Sequence, residues 1–114
     1  MRTLNDYFLT VHLADLDVPG TFYVAVPDGG TLVKVLTVTE ADLGAAETLT
    51  LKTAQGTVAP TIYIAATGAA AGVVDTMVPT ANNVVAEDGT IEIENNGTAT
   101  TSGAGATVTL VIRR

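Results

Sequence analysis

A chain of 114 residues can bury one core but not two. With 47% hydrophobic and 15% charged residues, it is the reverse of a disordered chain. A net charge of −7 with only five Lys and Arg excludes a basic phosphate-binding surface, and the absence of cysteine excludes disulfides, thiolate catalysis and cysteine-ligated zinc.

In chain order, "MRTLNDYFLT" has one basic residue and no apolar run after it, so no secretory signal is expected. "YFLTVHL" alternates, and residues 1–17 read either as an arm that orders on a partner or as a first strand. Residues 18–114 read as the β domain. In "TFYVAVP", Phe22, Val24 and Val26 share one face, and Asp28-Gly29-Gly30 makes a turn. "TLVKVLTVT" is apolar on nearly both faces, which predicts a strand covered on each side. In "TEADLGAAE", Thr39 and Asp42 have capping-box-like spacing, and Gly44 limits any helix to one turn.

"TLTLKT" points Leu49 and Leu51 inward, and "TIYIAA" puts Ile62 and Ile64 on one side. No charge occurs between Lys52 and Asp75, but Pro60, Gln55 and repeated Gly and Thr keep this window from reading as a membrane span. "GAAAG" lacks the Lys and the following helix of a nucleotide loop. It reads as a small-residue crossing, with Gly68 and Gly72 allowing close backbone approach and Pro79 and Asn82-Asn83 turning the chain. Glu87-Asp88-Gly89 then sets up "TIEIEN", with Ile91 and Ile93 inward, and "ATVTLVIRR" closes with Val108, Leu110 and Ile112 inward.

Seven or eight short strands with frequent turn signals predict an all-β, antiparallel β-sandwich, jelly-roll-like. Outward positions are rich in Thr and poor in charge, and few strands carry the Lys, Pro or bulges that protect edges. Together with a mean hydropathy of +0.41, this predicts surfaces covered by neighbouring subunits or partner strands.

Residue types that could carry chemistry are isolated. His12, the one histidine, is in phase with Phe8 and Thr10, and Ser102 sits in the soft loop "TTSGAG" with no supporting motif. Asp15, Asp17, Asp75, Glu87 and Asp88 lack the spacing of a calcium loop. Asn96-Gly97-Thr98 is formally a glycosylation sequon but reads as a tight turn. No catalytic residue, cofactor or metal is expected, and no enzyme.

From Gly68 on, "GAAAGVVDTMVPTANNVVAEDGTIEIENNGTATT" and the terminal "VTLVIRR" resemble the small decoration, or cement, proteins of tailed-bacteriophage capsids. The shared features are a Gly-Ala crossing, a Pro-Thr-x-x-Asn-x-Val step, a turn before an Ile-x-Ile strand, and a Gly/Thr loop. "VAVPDGGTLVKVLTVTEADLGAAETLTLK" fits the same scheme. The resemblance implies a capsid-stabilising homotrimer on the outer surface of the virion, made in the host cytoplasm. It would bridge subunits of the major capsid protein and contact neither nucleic acid nor membrane. Residues 1–17 lie outside the resemblance; within them Leu4, Tyr7 and Phe8, apolar among polar residues, are the expected interface residues of the arm. The competing readings are a head-fibre base or tail β-module of a virion, and a carbohydrate-binding module, which three Tyr, two Phe and no Trp make less favoured.

Overall fold

The structure, a computed structural model, describes residues 6–64 and 72–114. Ten strands lie among them: β1 (Asp6–Leu13), β2 (Gly20–Val26), β3 (Gly30–Thr39), β4 (Glu47–Thr53), β5 (Gly56–Thr57), β6 (Ile62–Ile64), β7 (Val74–Met77), β8 (Val84–Val85), β9 (Gly89–Asn95) and β10 (Ala106–Arg113). They form two five-stranded antiparallel sheets. Sheet A runs β1-β10-β3-β7, with β8 also pairing β3; sheet B runs β2-β9-β4-β5, with β6 also pairing β4. With the two-residue β5 and β8 set aside, the order β1-β10-β3-β7 over β2-β9-β4-β6 is that of a jelly-roll sandwich. No described residue is helical.

Period-2 patterning explains the core. Leu49, Leu51, Ile91, Ile93, Val108, Leu110 and Ile112 are buried, and the Thr and Glu residues between them stay at least partly exposed. β1 follows the same rule: Tyr7, Leu9, Val11 and Leu13 face the core, while Phe8, Thr10 and His12 face out.

Two local readings are corrected. β3 is not covered on both sides: pairing with β10 skips Val33, a β-bulge that changes which residues face inward. Leu32 lies inward on one side of the bulge and Val35, Thr37 and Thr39 on the other, so a strand with one buried face reads as apolar on both. The segment after Thr39 forms no helical turn. Thr39 stays in β3, and the Asp42 carboxylate accepts from Gly44 N–H at 2.9 Å, a local side-chain turn that competes with helix. Leu43 is fully buried, and its carbonyl accepts from Thr100 N–H at 2.8 Å.

The Gly-Ala crossing lies largely outside the described residues. At its end, Gly72 has φ +84°, a left-handed backbone that favours glycine, and no described residue lies within 4 Å of where a Cβ would stand. Close approach occurs instead at the Asp28-Gly29-Gly30 turn, which carries the chain from sheet B to sheet A. A Cβ on Gly29 would lie 2.6 Å from the Glu87 nitrogen. Asn82-Asn83 does more than turn the chain. Asn82 Nδ2 donates to Thr57 O at 3.0 Å, and Asn83 Nδ2 donates to Leu32 O at 2.8 Å, tying one sheet to the other.

Candidate interaction surfaces

Of the expected contact residues, Leu4 lies outside the described residues, and Tyr7 and Phe8 point to opposite faces of β1. Tyr7 packs on the core, and its hydroxyl donates to Gly29 O at 2.7 Å. The Arg114 guanidinium lies 5.5 Å from the centre of its ring. Desolvation, and then the neighbouring Asp28 carboxylate, push the Tyr7 phenol above its ordinary value of 10.0. Phe8 is 47% exposed on the outer face of sheet A.

Cross-strand register builds that face row by row. One row runs Phe8, Val111, Lys34; the next Thr10, Thr109, Leu36, Thr76; the third His12, Thr107, Val38, Val74. Val74 is 52% exposed and Val38 is at 37%. The middle row carries no charge at all. Lys34 marks one end, and His12, paired through Nε2 with the Glu40 carboxylate, marks the other.

β1 is also an edge. β10 pairs with it from Asp6 to Leu13, and its other side meets no strand among the described residues. Its eight residues, "DYFLTVHL", contain no Pro, Gly or Lys to discourage pairing. Asp6 fastens its start: a carboxylate only 2% exposed accepts from Arg113 Nε at 2.8 Å and a terminal guanidinium nitrogen at 2.9 Å. β2, the matching edge of sheet B, packs beside β1. Along this side the core-facing Tyr7, Leu9, Val11, Phe22 and Val24 remain only partly buried.

The other candidates stay apart. The partner of His12 is Glu40, and Ser102 lies exposed in the turn before β10. Among the described residues no three His, Asp or Glu side chains gather to hold a metal ion. Asn96-Gly97-Thr98 lies in the irregular loop after β9 rather than in a tight turn: Gly97 has φ +70°, and a Cβ on it would meet Pro19 at 2.5 Å.

Sequence reasoning missed Glu47, a fully buried carboxylate. Its Oε1 accepts from Asn96 N–H at 2.9 Å and Thr48 N–H at 3.2 Å. Its Oε2 accepts from Thr98 N–H at 2.9 Å and Ala99 N–H at 3.2 Å. The loop after β9 is thus wrapped around one side chain at the start of β4. A lone Glu at a strand start gives no hint of this, because its donors come from 49 and more positions further along, apart from the adjacent Thr48.

No family model and no curated protein matches the chain. Among solved structures, one described as the crystal structure of PirA is 10% identical, with 100% of this chain and 97% of that one covered at a TM-score of 0.45. A chain of the cyanophage Pam1 capsid asymmetric unit is 18% identical, with 99% and 89% covered, also at a TM-score of 0.45.

Proposed function

We propose that this chain is a non-enzymatic structural protein of a phage virion, bound on the outside of the capsid and bridging subunits of the major capsid protein. The observation that carries the reading is the outer face of sheet A beside the unprotected β1 edge. An uncharged Thr-Val-Leu strip flanked by Phe8, next to a strand edge that no described strand covers, suits burial against another protein more than contact with water. The trimeric state follows from the family resemblance: three copies on one platform would turn modest contacts into durable attachment through effective concentration.

The charge distribution fits a protein partner rather than nucleic acid. Lys52, Arg113 and Arg114 are each committed to a carboxylate, on Glu94, Asp6 and Asp28 respectively. Native mass spectrometry and co-sedimentation with expanded capsids test the proposal. A trimer that co-sediments and raises the capsid's disruption temperature is the expected result. A monomer at high concentration that leaves capsids unbound and unstabilised overturns it.

A further inference from the structure

The outer face of sheet B differs in chemistry from that of sheet A. One cross-strand row runs Tyr23, Glu92, Lys52, and beside it lies a shallow cavity of about 340 Å³. Thr53 at the end of β4 and Ala54 of the turn after it line one part, and Val85, Ala86 and Gly89 another. The volume falls at the small end of ligand sites, which span about 300–1,000 Å³. Tyr23 is 69% exposed, a large amphipathic ring held at the cavity with little of its area used within the chain.

The lining decides among ligand classes. β9 is paired on both sides, by β2 and by β4, so the floor has no free strand edge to offer an extended peptide. Recognition falls to side chains: the Tyr23 ring, the Glu92 carboxylate, the Lys52 ammonium and the Thr90 hydroxyl, the Thr53 hydroxyl being engaged with Asn82 O at 2.7 Å. Lys52 already pairs with Glu94 at 3.4 Å, and Glu92 has no cation of its own among the described residues. The excess of negative charge works against phosphate, sulfate or carboxylate ligands. An apolar ring face edged by an acceptor-only carboxylate, a donor-only ammonium and a hydroxyl matches a ring that has one apolar face and hydroxyls at its rim. We propose that this cavity binds a neutral sugar ring of a glycan, stacked on Tyr23 with its hydroxyls held by Glu92 and Lys52.

The test uses the purified protein without capsids, so its outcome is separate from that of the capsid proposal. Maltohexaose, cellohexaose and chitotriose are titrated into labelled protein while amide shifts are followed by NMR, with dextran sulfate as the charged comparison. At least one neutral oligosaccharide gives saturable shifts confined to the surroundings of Tyr23, with a dissociation constant on the order of 1 mM. Tyr23→Ala weakens binding at least about tenfold and Glu92→Gln by several-fold, and neither change moves the melting temperature appreciably. Three results overturn the proposal: no shifts at about 20 mM of any neutral probe, binding that Tyr23→Ala leaves intact, or tighter binding of dextran sulfate.

Discussion

Glu47→Ala removes the acceptor around which the loop after β9 is built. Four backbone N–H groups, from Thr48, Asn96, Thr98 and Ala99, donate to this carboxylate. Two have a second acceptor: Thr48 N–H also reaches Asn96 Oδ1 at 3.4 Å, and Ala99 N–H reaches Leu16 O at 3.3 Å. The other two, at Asn96 and Thr98, have their short bonds to Glu47, both at 2.9 Å. Hydrogen bonds to a charged group contribute about 1.5–3 kcal/mol each, so losing two predicts roughly 3–6 kcal/mol. Relief of the buried charge's own desolvation offsets part of this, leaving about 3–5 kcal/mol. Against a total stability of about 5–15 kcal/mol, that is a large fraction. At roughly 4 °C per kcal/mol for a domain of this size, the melting temperature falls by about 12–20 °C. Glu47→Gln retains one oxygen but presents an NH₂ to donors, so it should lose about half as much. Urea unfolding followed by tyrosine fluorescence measures both variants. A Glu47→Ala protein within about 0.5 kcal/mol of the parent would refute the reasoning, as would equal losses in the two variants.

Tyr7→Phe deletes the bond to Gly29 O and should cost about 1 kcal/mol at neutral pH in the same unfolding assay. Because the folded-state pKa of Tyr7 is raised above 10.0, its contribution is complete below about pH 10 and is lost as pH rises through the folded value. Stability of the parent therefore falls above pH 10 by a component that Tyr7→Phe lacks, which paired melts across that range will show. Gly29→Ala combines φ +66° with a Cβ 2.6 Å from the Glu87 nitrogen, whereas Gly72→Ala has φ +84° and no described residue within 4 Å. The first should lose more than about 2 kcal/mol and the second only about 1–2 kcal/mol, and equal losses would mean that packing at Gly29 is not what matters. Val38→Lys and Phe8→Lys place charge on the outer face of sheet A. Each should leave monomer stability within about 0.5 kcal/mol while reducing self-association and capsid co-sedimentation by tenfold or more, read by native mass spectrometry and pelleting.

Alternation determined most of the strand residues that line the core. The inward sets of β2, β4, β6, β9 and β10 were legible because a strand has a period of two, and burying one face fixes which residues are apolar. The turn at Asp28-Gly29-Gly30 was legible for a similar local reason: glycine admits backbone angles that other residues resist.

What remained hidden depends on residues far apart in sequence. The Val33 bulge exists only against β10, since a bulge is a mismatch between two strands and neither announces it. The role of Asp42 turned on a competition between capping a helix and closing a side-chain turn, and fully burying Leu43 goes with the latter. Tyr7 and Phe8 read alike as apolar neighbours, yet the packing of β1 on β10 commits one to the core and leaves the other outside. Glu47 and the surface chemistry of Tyr23, Glu92 and Lys52 are likewise products of register: tertiary pairing gathers residues from β2, β4 and β9 that no short stretch of chain contains. Sequence periodicity thus settles which way side chains point in the regular strands β2, β4, β6, β9 and β10, and only the order of the strands decides what they meet there.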